Sequence, residues 1–292
     1  MKLVPRYLIV VCMCWGLLVP QAQARSDELA QSEELPERQL RILEPPNEIQ
    51  RLDPAFEMIM EKIDDDLKYI LSSPVRLTPK GTAMTGLTLL STLYLLGEDE
   101  EYLSNVVDAR DEDSDHVFER LRVLGNNVTG TTAGLYLVGY FFDDRELKSR
   151  SLESLEAVAI TALISAGTGY MIGHKSPDDT SDSGSFEPFS RYRSMPDINS
   201  SLIFSMASVY AYNRPTLEAI VYYTLAAGTA YSRLHFEDAW PSDVFLGSVL
   251  GTVIGRTVAS RSMDVREGKV RVLPVLEHDG KSAVGVKVEI RL

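Results

Sequence analysis

Between Phe56 and Ile70 the apolar residues Phe56, Ile59, Ile63, Leu67 and Ile70 recur at steps of three and four, with Glu61, Asp64, Asp65 and Lys68 between them. That spacing gathers the apolar side chains on one face of a helix, which Pro74 and Pro79 close. A second apolar segment, Met84 to Leu96, is expected to stop at Gly97 and the acidic run Glu98 to Glu101. Further helices are expected at about 115–125 and 128–142, and longer, apolar-rich ones at about 150–172, 199–212, 215–231 and 242–260. The end of the chain changes period. Val284, Val286, Val288, Ile290 and Leu292 alternate with Gly285, Lys287, Glu289 and Arg291, and Val270 and Val272 alternate with Lys269 and Arg271. With Asp279-Gly280 as a tight turn, this predicts a C-terminal β-hairpin, which alone would be marginal and must lie on the bundle or pair with another chain. The predicted fold is all-α, a helical bundle ending in a short hairpin.

Small residues crowd the later segments: Ala157, Ala159, Ala162, Ala166, Gly167 and Gly169 in one, and Gly247, Gly251 and Gly255 at four-residue spacing in another. Such stripes let helix backbones approach closely. They serve equally inside membranes, so a membrane bundle is the competing architecture. Arg214 and Glu218 interrupt one stretch and Glu153 and Glu156 open another. No segment after the first two dozen residues holds an uninterrupted apolar run of about 18, which favours a soluble bundle.

The N-terminus reads as a leader. Lys2 and Arg6 precede the apolar run Tyr7 to Val19, followed by Pro20 and Ala22-Gln23-Ala24, the three parts of a secretory signal peptide. Cleavage is expected after Ala24, with an uncleaved anchor as the alternative. Both cysteines, Cys12 and Cys14, lie in the segment removed, so the mature chain would have no thiol, disulfide or cysteine ligand. Residues 25–55 are charged and contain Glu44-Pro45-Pro46, the composition of a tether. The expected organisation is therefore signal peptide 1–24, tether 25–55, helical domain 56–262 and hairpin 263–292, exported to an envelope compartment such as a periplasm.

Charge narrows the partners. Lys and Arg total 29 against 42 Asp and Glu, a net charge of −13 that loss of Lys2 and Arg6 takes to −15. So acidic a surface repels phosphate backbones, which excludes nucleic acid as a partner. With four histidines and no glycine-rich phosphate loop, zinc motif or Gly-x-Ser-x-Gly elbow, no metal or cofactor is expected. The run Asp111 to His116 has the alternating carboxylates of a calcium loop, but His116 takes the place of the turn glycine and Arg122 that of the closing glutamate. An acidic helix start with Asp115 as its cap is the simpler reading.

The informative segment is Ser232-Arg233-Leu234-His235-Phe236-Glu237-Asp238-Ala239-Trp240-Pro241-Ser242-Asp243. It resembles the third signature of the type 2 phosphatidic acid phosphatase and vanadium haloperoxidase superfamily: Ser-Arg, five residues, His, three residues, Asp. Ser232, Arg233, Trp240, Pro241, Ser242 and Asp243 fall in register. The second signature, Pro-Ser-Gly-His, is expected at Pro196-Asp197-Ile198-Asn199, where only the proline matches. The first, Lys, six residues, Arg-Pro, is expected at Gly169 to Pro177, where again only the proline matches. The resemblance covers about residues 56 to 260 with order and spacing intact.

In that family, the resemblance implies, the third-signature histidine attacks phosphorus and the aspartate one turn later orients it, the second-signature histidine protonates the leaving oxygen, and one Lys and two Arg neutralise the non-bridging oxygens. Position by position, the nucleophile falls on Ala239, the acid on Asn199, and the cations on Gly169, Ser176 and Arg233. Only Arg233 and Asp243 keep their type. A methyl group cannot accept a phosphoryl group and an amide cannot deliver a proton at neutral pH. Loss of the nucleophile alone costs about a millionfold in a comparable site. Vanadate would need the same histidine and cations, so it too is excluded.

The expectation is a non-catalytic binding or scaffolding protein whose partner is an envelope protein or a lipid-like ligand, with self-association through the hairpin edge open. The alternative keeps a phosphomonoesterase acting on lipid or small phosphate esters, with His235 as substitute nucleophile. Otherwise His235 belongs on a surface loop, Asp243 at a helix N-terminus and Arg233 in a buried ion pair with Asp243 or Asp197. His174, Lys175, Arg191 and Arg193 flank the other two signatures.

Overall fold

The computed structural model describes residues 54–73, 78–266, 270–277 and 283–290, with side chains at 60–73 and 78–263. The leader and the tether up to residue 53 lie outside the described residues. The chain divides into two compact units, Met1–Glu61 and Lys62–Leu292, and every contact below lies in the second.

Eight helices occur among the described residues: α1 Pro54–Leu71, α2 Pro79–Asp108, α3 Glu112–Asn126, α4 Val128–Phe141, α5 Arg145–Ile172, α6 Ile198–Ala211, α7 Thr216–His235 and α8 Pro241–Arg266. Their starts follow ordinary capping chemistry. Thr78 caps α2 by accepting from the Gly81 N–H at 3.1 Å, with Pro79 preset for the first turn. Asp144 caps α5 and Asp197 caps α6 through backbone N–H groups of Leu147 and Ser200. The cap of α3 is Asp111, in a capping box with Ser114, and not Asp115 as expected. Asp115 points instead to Arg110 and His235.

The larger departure is α2, which runs straight through Gly97 and the acidic run expected to end it. A single interior glycine costs a helix only about 1 kcal/mol. Thr92, Asp99 and Leu103 are buried on one face of α2, so tertiary contacts hold the continuation in helix.

At the centre α6 lies against α8, and the glycine stripe explains how closely. A Cβ added at Gly247, Gly251 or Gly255 would sit 2.5, 2.0 and 2.3 Å from the carbonyl oxygens of Asp197, Ser201 and Ser205. Each step of four on one helix thus meets a step of four on the other, backbone to backbone. Around this seam Ala157, Ile160, Val209, Ile254, Val258 and Ala259 form a core, on which Ile63, Leu67 and Ile70 of α1 pack as their periodicity predicts. A second cluster joins Val128, Val158, Ile203, Ala207 and Ala226.

The outer faces are apolar too. Met84, Leu87, Leu90 and Leu93 of α2, and Leu137, Tyr140 and Phe141 of α4, are exposed. By length and composition α5 is sufficient to cross a membrane, and 39% of its most apolar window is buried in the bundle. Beyond α8, the backbone of β1, Val270–Glu277, runs antiparallel to β2, Ala283–Ile290, with Val270 opposite Ile290.

Candidate functional site: a buried histidine–aspartate pair beside an arginine-lined cavity

Four helix ends converge on one face of the bundle: the C-termini of α5 and α7 and the N-termini of α6 and α8. The segment 173–197 links α5 to α6. It turns at Gly173, whose φ of +67° closes α5 in the left-handed conformation. No side chain fits there, because a Cβ would lie 1.9 Å from the Glu187 carbonyl oxygen. The segment then doubles back, with Lys175 N–H donating to Ser185 and Glu187 N–H to Gly173.

Asp243 lies in the first turn of α8 and is fully buried. Its Oδ1 meets His174 Nδ1 at 2.7 Å, and its other oxygen accepts a hydrogen bond from Ser194. His174, also fully buried, contacts the Ser183 carbonyl through Nε2 at 2.8 Å and stacks on Phe186. Because a carbonyl only accepts, Nε2 carries a proton, and a second proton lies between Nδ1 and the carboxylate. Burial lowers the histidine's affinity for this proton, but the hydrogen bond and charge of Asp243 more than offset it, so the pKa is raised. Burial likewise pushes Asp243 above the usual carboxylate range, with His174 opposing.

Neighbouring residues of the third signature are structural as well. The Trp240 indole donates to the Lys175 carbonyl at 2.9 Å. Ser242 donates through N–H and Oγ to the two oxygens of Asp99, at 2.8 and 2.6 Å. Asp99, buried, is pushed up to about 6, chiefly by desolvation.

Ala239, at the position that the resemblance gives to the nucleophile, is 0% exposed and packs with Ala230 and Val244. Asn199, at the acid position, is half-buried in the first turn of α6. Arg233 is held between Asp197 at 3.4 Å and Asp238 at 2.6 Å, and Arg122 reaches Asp238 from α3. Arg233 therefore pairs with Asp197 and Asp238, and the recorded partners of Asp243 are His174 and Ser194.

His235 is not the surface loop residue expected. It is the last residue of α7, 2% exposed, with Nε2 2.6 Å from Asp115 Oδ1 and its ring against Phe118 and Phe236. Its recorded hydrogen bond goes to neither Arg233 nor Asp243, and it is absent from the cavity lining described next.

A cavity of about 370 Å3 opens beside the pair, its lining including Arg191, Arg193 and Arg233 together with Asp179, Asp197 and Asp238, and Ser176 and Ser194. Of the other two positions that the resemblance gives to cations, Ser176 lies in the lining and Gly169 does not. Gly169 is buried beneath Arg193, and Ser176 donates to Asp179 at 2.8 Å. No group of three or more candidate metal ligands occurs among the described residues.

Three of these features were missed in the sequence: Asp99 as partner of Ser242, His174 as partner of Asp243, and Arg191 with Arg193 in the cavity wall. Asp99 lay in what reads as a charged helix stop. His174 and the arginines lay beside signatures rather than in them.

Comparison with known proteins agrees on the family. Residues 150–266 match the model of the PAP2 superfamily, a span that holds all three signature positions. This part of the chain, most of α5 through α8, is similar to the PAP2 superfamily. The match is narrower than the span of 56 to 260 read from the sequence. Among solved structures, the crystal structure of Aquifex aeolicus LpxE aligns with 55% of this chain and 93% of its own, at 17% identity and a TM-score of 0.43. No curated protein matches the chain.

Proposed function

We propose that the protein is an exported, non-catalytic member of the superfamily that keeps the helical scaffold as a binding or scaffolding component of the envelope. The observation that carries this is the state of the nucleophile position. Ala239 has a methyl group, is fully buried and is packed into a small apolar cluster. The aspartate that would orient a nucleophilic imidazole is engaged by His174, and both ring nitrogens of that histidine are already hydrogen-bonded. A nitrogen whose lone pair is protonated cannot attack phosphorus. The N-terminal pattern supports export, and the C-terminal alternation supports a hairpin accessory whose edge could pair with a partner or a second copy.

Hydrolysis of an aryl phosphate and of phosphatidic acid by the purified protein, with His174→Ala, Arg233→Ala and His235→Ala variants alongside, tests the reading. The expected rate is background for all four proteins. Turnover abolished by one of the histidine substitutions would replace this reading with the active phosphomonoesterase and identify its nucleophile.

For location, the exposed apolar side chains of α2 and α4 and the span-length α5 favour a second reading, a bundle seated in lipid. Retention in the membrane pellet after alkaline extraction supports that location, and release into the supernatant supports a soluble exported protein.

A further inference from the structure

We propose that a proton shared between the buried carboxyl groups of Asp66 and Glu156 latches α1 to the bundle, so that α1 is docked in mildly acidic solution and released as the solution turns alkaline. The latch involves none of the cavity residues, and it does not depend on whether the bundle is catalytic.

The first observation is geometric. Asp66 of α1 is 2% exposed and Glu156 of α5 is 8% exposed. One oxygen of each carboxyl has a cation: Lys62 donates to Glu156 Oε2, and Arg261 of α8 donates to Asp66 Oδ1. The other two oxygens, Glu156 Oε1 and Asp66 Oδ2, are buried with no hydrogen-bond donor among the described residues. The two carboxyls nevertheless lie within hydrogen-bonding reach of one another. Ionised carboxylates only accept, so neither can satisfy the other, whereas one proton between them satisfies both. The same Arg261 guanidinium lies 4.3 Å from the Tyr69 ring centroid, so one side chain of α8 holds α1 at two points.

The second observation is electrostatic, and the groups around Glu156 come from three helices. From α1 come Lys62 and Asp66, and from α8 come Arg261, bound to Asp66, and Ser262, which accepts from Lys62 at 3.1 Å. On α5 itself Glu153 and Arg150 lie 3.7 Å apart, one and two turns before Glu156. The side chains of Lys62 and Arg261 are 42% and 35% exposed, so water screens the two cations while the carboxyls they meet are dry. Burial therefore dominates at Glu156 and, with Asp66 assisting and Lys62 opposing, pushes it up to about 7. With α1 released the same carboxyl is in water and titrates at its ordinary 4.5. Between these values the docked form holds a proton that the released form lacks, so docking is strongest at low pH and weakens as pH climbs through the higher value. From pH 6 to pH 8 the ratio of released to docked α1 rises about tenfold.

The test is hydrogen exchange of the full chain, read by mass spectrometry over residues 60–71 at pH 6 and pH 8, with exposure times scaled for the intrinsic rate. Protection of α1 in the parent should fall about tenfold between the two. Glu156→Gln should keep α1 protected at both values, because its amide donates to Asp66 and its oxygen still accepts from Lys62 without titrating. Glu156→Ala, which can do neither, should lose protection already at pH 6. Parent protection that is the same at both values overturns the proposal, and so does parent-like protection in Glu156→Ala. A fall that persists undiminished in Glu156→Gln also overturns it, since the titrating groups would then be others, such as Asp99, His174 and Asp243. If Glu156→Gln does not fold, Asp66→Asn asks the same question: its amide donates to Glu156 while its oxygen accepts from Arg261. Loss of the pH dependence in that variant supports the latch, and its survival overturns it.

Discussion

Ala239 is core in the fold, touching Ala230 and Val244, and under the proposed function it occupies the position that the sequence resemblance gives to a nucleophile. Restoring the imidazole alone should therefore not restore activity. Ala239→His must push a ring into filled space, and is expected to lower stability by about 1–3 kcal/mol while leaving aryl phosphate hydrolysis at background. Thermal unfolding and a phosphatase assay on the same preparation check both halves. Measurable turnover would mean that Asp243 can exchange His174 for the new ring. The identity of residue 239 is plain in the sequence. Its burial is not, because an alanine beside Trp240 fits a loop as well as a core.

At the scale of elements, the α6–α8 seam is where composition and structure agree most closely. Glycines 247, 251 and 255 recur every four residues, and the structure sets each against a backbone carbonyl of α6. Gly251→Val should cost about 3 kcal/mol or more, because a Cβ there would lie 2.0 Å from the Ser201 carbonyl oxygen and backbone cannot step aside as a flexible side chain does. Gly167→Ala is the matching control. A Cβ there meets nothing within 4 Å, so the substitution should be neutral or stabilise the helix by up to about 1 kcal/mol. Denaturant unfolding of the two variants separates close packing from glycine's general effect on helices. If Gly251→Val is as stable as the parent, the two helices do not approach as closely as described. The helices were legible from periodicity, but the length of α2 was not. Gly97 and four acidic residues carry every local signal of a stop, and a buried contact from Asp99 to Ser242, far along the chain, decides otherwise.

For the whole molecule, three buried titratable groups, Asp99, Asp243 and His174, meet at one end of the bundle and set a pH dependence. In the folded protein Asp99 holds its proton up to a pH of about 6 rather than 3.8. Between those values the folded state binds more protons than the unfolded one, so stability falls as pH rises through that window. His174 acts in the same direction at higher pH. Its raised pKa gives stability that is complete below about 6.5 and lost as pH climbs through the raised value. The melting temperature should therefore decline from about pH 4 to above neutrality. Asp99→Asn should flatten the lower part of the slope and leave the upper part, and scanning calorimetry of both proteins across that range measures it. A parent whose melting temperature rises steadily over the same range would show that these groups are not buried together.

What the sequence determined by itself was the set of helices with one-faced patterns, the seam written in small residues and the acidic balance, beside a resemblance that gives the reactive positions to Ala239, Asn199, Gly169 and Ser176. These follow from local spacing and side-chain identity, which need no knowledge of what lies across the fold. Only the tertiary structure decided which partners the surviving residues took: His174 for Asp243, Asp197 with Asp238 for Arg233, Asp115 for His235, Ser242 for Asp99. Each of these pairs joins residues of different elements or the turns between them. A buried polar group must find a partner somewhere, but nothing in its own neighbourhood along the chain says where.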